Sequence, residues 1–167
     1  MNYKAVFLAG SLLAPAVGWI STPLSAAMVR VGRFDFNICK FGKSDYPWHA
    51  KGLVNGSFDR IAASMYDNGG SKDIAQQGSR CVGAYEVVGG RYRDYGVCTQ
   101  VDADGDKWLM RYETGADLIG TWVAVGGSGK YEGMTTEGEY RPNGNVPGVL
   151  AGGFKSCNYN TGTYKLR

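Results

Sequence analysis

The sequence predicts an all-β protein: a single closed antiparallel barrel of about eight strands, held by disulfides. Three features of the 167-residue chain carry that expectation. Short runs alternate apolar and polar residues with a period of two, the spacing of a half-buried strand. Glycine is abundant, with 24 of the 26 lying after Ala27, and many of these sit between the alternating runs where turns are needed. Long helix-forming segments are absent, and short strands joined by Gly-rich turns belong to a sandwich or barrel.

Met1 to Ala27 stands apart from the rest. One basic residue (Lys4), an apolar run from Ala5 to Ile20 and the small residues Ser25-Ala26-Ala27 read as a secretory signal cleaved near Ala27. Pro15, Gly18 and Pro23 interrupt a run already short for a bilayer, which argues against a permanent anchor and against membrane insertion after the signal is removed. The expected product is one exported domain, Met28 to Arg167, about 140 residues and large enough for a single core. It would be periplasmic or secreted. Without Lys4 it keeps 17 basic residues against 15 acidic ones, a formal charge of +2 with both signs interspersed. No like-charge run points to nucleic acid, and no basic amphipathic helix points to a membrane surface.

The four cysteines, Cys39, Cys81, Cys98 and Cys157, all follow the signal, and an even count in an exported chain predicts disulfides. No C-x-x-C pair exists and His49 is the sole histidine, so a Cys/His zinc site is not expected. No motif calls for a cofactor.

In chain order, Val29 to Phe36 reads as a first strand continuing toward Cys39, and Trp48 to Phe58 as a second broken by Gly52 and Gly56. Asp59 to Gly78 reads as a long loop with an ambiguous centre at Ile61 to Tyr66 and a turn at Asp67-Asn68-Gly69-Gly70. It is either a gate over a site or an exposed loop or irregular edge strand. Ser79 to Val88 and Arg91 to Val101 form a hairpin around Gly89-Gly90. In that register Val88 opposes Arg91, and Cys81 opposes Cys98 at a non-hydrogen-bonded site, where side chains approach most closely. By elimination Cys39 pairs with Cys157, which makes the first and last strand regions neighbours, as a closed sheet requires.

Asp102-Ala103-Asp104-Gly105-Asp106 is a second turn. A two-residue corner at Asp104-Gly105 sets Trp108 opposite Val101 and Met110 opposite Thr99. The apolar face is then Val82, Ala84, Tyr95, Val97, Val101, Trp108, Met110 and Tyr112, which we take as the interior. Glu86 and Arg93 face each other on the same side. One reading is a polar cluster (Glu86, Arg91, Arg93, Tyr95) at the mouth of an apolar cavity walled by Trp108, Met110 and Tyr112. The other is a hairpin tip projecting past the rim, its charges solvated. Asp102, Asp104 and Asp106 also offer oxygen ligands for calcium, although the loop lacks the glycine and glutamate pattern of an EF-hand.

Gly120 to Gly127 alternates Thr121, Val123 and Val125 with Trp122 and Ala124, and runs into a corner built on Gly126, Gly127 and Gly129. Lys130-Tyr131-Glu132-Gly133 then turns the chain toward a strand at Glu137 to Tyr140. A phosphate loop is the alternative reading, but no helix follows and the G-K-[ST] ending is missing. Arg141 to Gly148 reads as a loop because Pro142 and Pro147 forbid a central strand. Val149 to Cys157 and Thr163 to Leu166 close the chain around a turn at Asn160-Thr161-Gly162.

The segment Gly126-Gly127-Ser128-Gly129-Lys130-Tyr131-Glu132-Gly133 resembles the G-G-[ST]-G-x-[FY]-x-G element of plant allene oxide cyclases and, more loosely, of dirigent proteins. Gly120-Thr121-Trp122 and the run from Cys98 to Asp106 resemble small exported bacterial members of that superfamily with no assigned role. The resemblance spans Ser79 to Tyr140. It implies an eight-stranded antiparallel barrel with an apolar central cavity, assembled into a homo-oligomer. It implies an activity less directly, because the epoxide-contacting residues of the cyclases align to no position here and the four cysteines are absent from their pattern.

No catalytic constellation stands out. His49 has no local motif to place a nucleophile beside it, and nothing in the sequence makes two of Glu86, Glu132, Glu137 and Glu139 converge. Whether the protein is an enzyme stays open. The leading expectation is a module that binds a small apolar molecule in the barrel. The alternatives are an isomerase or cyclase of the allene oxide cyclase or dirigent type, and a structural or interaction protein with a filled barrel and surface tyrosines Tyr85 and Tyr92. Cavity volume separates the third from the other two: a barrel filled by Trp108 and its neighbours, with no opening beside Glu86, removes both ligand readings.

Overall fold

A computed structural model describes residues 30–67, 74, 77–147 and 153–167. The segment read as a signal, and residues 68–73, 75 and 76 of the segment read as a gate, its turn at 68–70 among them, lie outside the described residues. Eight strands follow in chain order: β1 (Val31–Ala50), β2 (Leu53–Asp67), β3 (Gly78–Val88), β4 (Arg91–Val101), β5 (Lys107–Thr114), β6 (Gly120–Gly127), β7 (Thr135–Pro147) and β8 (Gly153–Lys165). Each pairs with its sequence neighbours, and β8 returns to pair antiparallel with β1, closing the barrel. Both disulfides form as expected, Cys81–Cys98 across β3 and β4 and Cys39–Cys157 across the closing seam of β1 and β8. The hairpin register also holds, with Val88 opposite Arg91 and both glycines of the turn at positive φ, +56° and +78°.

Several boundaries differ from the sequence expectation. Trp48 to Ala50 belong to the end of β1, and the chain turns at Lys51-Gly52, where φ is +77°. Asp59 to Asp67 continues β2 instead of starting a loop. Pro142 lies inside β7, since β6 pairs with β7 only as far as Gly120 opposite Tyr140. Beyond that point β7 has β8 as its neighbour, and the missing proline N–H faces the unpaired side. A register shift between Pro142 and Asn145 absorbs the irregularity. Asn160-Thr161-Gly162 does not turn at all but runs through the middle of β8.

Gly162 is there for space. A Cβ on it would lie 2.8 Å from the Trp122 ring and 2.9 Å from the Phe34 ring. The same ring overlies Gly138 of β7, and the Tyr140 ring overlies Gly120 of β6. Phe34 stacks on Trp122 at 5.0 Å between centroids, and Trp122 meets Trp108 at 6.0 Å. Large rings laid over glycines fill the barrel from within.

One end of the barrel is closed. A 3-10 turn, Gly129–Tyr131, folds under the end of β6, where the absence of a Cβ on Gly127 lets the Tyr131 backbone approach. Tyr131 is fully buried among Ile74, Met134, Trp108 and Leu166. Gln77 ties the plug together, donating to the Tyr131 hydroxyl at 2.9 Å and accepting from Trp108 Nε1 at 2.9 Å. The glycine-rich corner is thus the stopper of the barrel.

Gly138→Ala is expected to overpack Trp122 and lower stability by about 1–3 kcal/mol. Gly126→Ala, at a position with nothing within 4 Å of the new methyl, is expected to leave it nearly unchanged. Urea midpoints of the two variants check this, and equal midpoints would refute ring-on-glycine packing as the filler of the barrel.

Candidate functional site

The β4–β5 connection decides which side chains enter the barrel. Asp102 Oδ1 accepts from the backbone N–H groups of Asp104 (2.9 Å) and Asp106 (3.1 Å), and Asp102 N–H donates to the Asp106 carbonyl at 3.1 Å. These bonds hold a five-residue loop in place of the expected two-residue corner. Val101 therefore opposes Lys107, and Gln100 opposes Trp108. A slip of one residue exchanges the two faces of a strand. The interior of β3 and β4 is Ser79, Cys81, Gly83, Tyr85, Tyr92, Asp94, Gly96, Cys98 and Gln100, and the expected inner set of Val82, Ala84, Tyr95, Val97 and Val101 faces outward.

The predicted site is divided by this slip. Trp108, Met110 and Tyr112 line the interior as expected. Glu86 does oppose Arg93, but that pair, Arg91 and Tyr95 lie on the outer wall near the hairpin tip, where Tyr95 is 58% exposed. Tyr95, Val82, Val97 and Val123 border a broad outer depression of ≈ 700 Å³. It is the larger concavity, but Tyr112 is its one buried titratable neighbour, whereas buried groups of both charges gather at another place. The space beside Trp108, Met110 and Tyr112 is ≈ 30 Å³, room for a water, so the barrel centre is filled and the expected ligand cavity walled by these residues with Glu86 at its mouth does not exist. In the aspartate loop, Lys130 Nζ sits 2.8 Å from Asp102 and 2.7 Å from Asp104, a chain cation where calcium was considered.

The open end of the barrel, opposite the plug, holds the group that sequence reasoning missed. Arg60 of β2 and Asp94 of β4 form an ion pair at 3.1 Å, both side chains more than nine-tenths buried. Arg60 Nη2 also donates to the Tyr112 hydroxyl, and its guanidinium lies 4.0 Å from the Phe58 ring centroid. The other Asp94 oxygen accepts from Thr114, whose hydroxyl also meets that of Tyr140. Lys40 of β1 lies over the Tyr140 ring at 4.8 Å and the Tyr112 ring at 5.7 Å. With the Asn158 amide oriented to satisfy both its ends, its oxygen accepts from Lys40 Nζ at 2.8 Å and its nitrogen donates to the Cys157 carbonyl at 2.9 Å.

These groups surround a pocket of ≈ 250 Å³ lined by Lys40, Arg60, Tyr92, Asp94, Thr114 and Tyr140, with Leu118 and Pro142 toward the rim. Lys40 and Tyr140 also border the inner space, so the two volumes meet at the amine. Burial, and then repulsion from Arg60, pull the Lys40 ammonium down to about 7, against the attraction of Asp94. Arg60 is opposed by burial too, but Tyr112 and Asp94 outweigh it and hold the guanidinium charged. Burial pushes Tyr92, Tyr112 and Tyr140 above the usual phenol range, so all three keep their protons. The site therefore combines a fixed ion pair, phenolic donors and one amine that titrates near neutrality.

One signal in the sequence pointed here. Lys40 and Arg60 interrupt otherwise apolar alternation at inward positions, after Phe34, Phe36 and Ile38 in β1 and between Phe58 and Ala62 in β2. A loop read at Asp59 to Gly78 hides Arg60, and a first strand ended near Cys39 stops just short of Lys40.

No protein-family model matches the chain, and no curated protein does. Solved structures do. The pterocarpan synthase dirigent protein GePTS1 superposes with a TM-score of 0.50 at 11% identity, covering 82% of this chain and 91% of that one. The pterocarpan synthase dirigent protein PsPTS1 gives the same score and identity, covering 82% and 96%. The likeness is one of fold: an eight-stranded antiparallel barrel shared with these two dirigent proteins.

The folded Lys40 loses its proton at a lower pH than the unfolded residue does, near 10.4. Between pH 7 and about 10 the unfolded chain thus binds the extra proton, and stability is expected to rise with pH. Above about 10 the three tyrosines, protonated only in the folded state, reverse the slope. Urea midpoints across this range should show the rise in the parent and lose it in Lys40→Met, and a flat parent profile from pH 7 to 10 would refute the buried amine.

Proposed function

We propose that the protein binds a small, largely apolar molecule carrying an oxygen head group, seated at the open mouth of the barrel. The observation that carries this reading is the ≈ 250 Å³ pocket whose floor is a buried set of two basic side chains and one carboxylate. Drug-sized ligand sites run about 300–1,000 Å³, so this one suits a molecule of roughly one ring. Leu118 and Pro142 meet its apolar body, and Lys40, Tyr140 and Asn158 meet its oxygen. Arg60 Nε, buried, has no hydrogen-bond partner among the described residues. A buried donor left unmade costs about 1–3 kcal/mol, which a ligand oxygen would relieve. The site works outside the cytoplasm in this reading, in keeping with two disulfides and with no helix among the described residues long and apolar enough to cross a membrane.

A second reading is an isomerase or cyclase. It is favoured by the Lys40 amine near neutrality beside phenolic donors, since a group that titrates at working pH can carry a proton in either direction. Barrel neighbours named as pterocarpan synthases add to it. Turnover of an unsaturated epoxide, or directed coupling of phenoxy radicals, would establish this reading over simple binding.

Calorimetry with 4-hydroxybenzyl alcohol, benzoate and toluene tests the binding reading. The two oxygen-bearing compounds are expected to bind and toluene to fail. Lys40→Met is expected to weaken benzoate about tenfold or more, the worth of one charge-assisted hydrogen bond. Benzoate should also weaken as pH rises past 7 and the ammonium is lost. Silence across the panel, or equal binding by the variant, would overturn the reading.

A further inference from the structure

We propose that Lys40 captures the carbonyl group of an aldehyde or ketone ligand as an imine at the floor of the mouth pocket. The inference rests on the binding reading above and narrows its ligand to carbonyl compounds. Three features of the geometry support it. Lys40 is 8% exposed yet makes no ion pair with a carboxylate among the described residues, whereas Arg60 beside it pairs with Asp94 at 3.1 Å. Its Nζ has the Asn158 amide oxygen at 2.8 Å and otherwise lies against the faces of two rings. It stands where the mouth pocket meets the inner space, so a molecule entering the barrel reaches the amine first.

An amine so placed is a nucleophile. Lysines become nucleophilic when a dry pocket or a neighbouring cation keeps them neutral, and Lys40 has both, consistent with its titration near neutrality. Carbonyl carbon is the electrophile that such an amine takes up reversibly without a redox partner. The amine nitrogen attacks that carbon, a C–N bond forms, and a proton passes from nitrogen to oxygen to give a carbinolamine. The C–O bond then breaks, the oxygen leaves as water with the second nitrogen-bound proton, and a neutral C=N bond remains. Tyr140, whose ring lies against Lys40 Nζ and whose hydroxyl is tied through Thr114 to Asp94, is placed to hold the carbinolamine oxygen. The fixed charge of Arg60 disfavours a second cation beside it and so favours the neutral imine.

The probe is 4-hydroxybenzaldehyde at pH 7, with timed aliquots quenched by sodium borohydride, which reduces a neutral imine as well as its cation, followed by peptide mapping of the intact purified protein. Lys40 is expected to be alkylated at least tenfold faster than Lys43, Lys51, Lys107 and Lys165, all of which are exposed. The preference should vanish in urea. Calorimetry with 4-hydroxybenzyl alcohol, which lacks the carbonyl, runs in parallel. Alcohol binding together with label spread evenly over the lysines, or absent from Lys40, would overturn the imine and leave the pocket standing. Absence of both binding and selective label would overturn the pocket as well. Lys40→Arg, which keeps the charge but offers no nucleophilic amine, is expected to lose time-dependent capture of the aldehyde.

Discussion

The structure depends on one steric arrangement: large rings inside a closed eight-stranded barrel, each lying where a facing strand has no Cβ. Trp122 lies over Gly138 and Gly162, and Tyr140 over Gly120. Eight strands enclose a space that side chains can just fill. With residues of ordinary size at every inward position these rings would not fit, and with small residues throughout the core would be hollow. Alternating glycine with tryptophan, tyrosine and phenylalanine answers both problems. The remaining inner space is ≈ 30 Å³, which is why the molecule keeps its usable volume at the mouth and not at the centre.

The two ends are built on opposite principles. At one end Tyr131, Trp108 and Gln77 satisfy one another and shut the barrel. At the other, Lys40, Arg60, Asp94, Thr114, Tyr112 and Tyr140 place charge inside a low-dielectric wall, an arrangement that costs stability unless every member is bonded. Asp94 meets that condition through Arg60 and Thr114, Arg60 meets it except at its buried Nε, and Lys40 meets it in part by shedding its proton near neutrality. A fold selected for stability alone would put apolar residues at these positions, which makes the cluster the candidate site.

Much of the barrel was legible because its signals are local. The Gly89-Gly90 turn sets the β3–β4 register residue by residue, and the register aligns Cys81 with Cys98. The other disulfide followed from closure. Errors arose where one residue type has two uses. Gly162 resembles a turn glycine but makes room for a ring, and Pro142 resembles a strand breaker but occupies a stretch with one free edge. In the Asp102–Asp106 loop a side chain bonds two backbone N–H groups and adds residues to the turn, which reverses the faces of β3 and β4 and carries Glu86, Arg93 and Tyr95 to the outside. The same slip concealed Asp94.

By itself the sequence determined the strand alternation, the number of strands, the hairpin register and the cysteine partners, because each depends on neighbours in the chain or on the closure that period-two patterning demands. Only the tertiary structure decided where the site lies. Lys40, Arg60, Asp94, Thr114 and Tyr140 come from five strands, and no spacing along the chain relates them. What brings them together is the stagger of a closed sheet, and what sets the state of the Lys40 amine is the loss of water around it, a property of the packed barrel that no linear stretch contains.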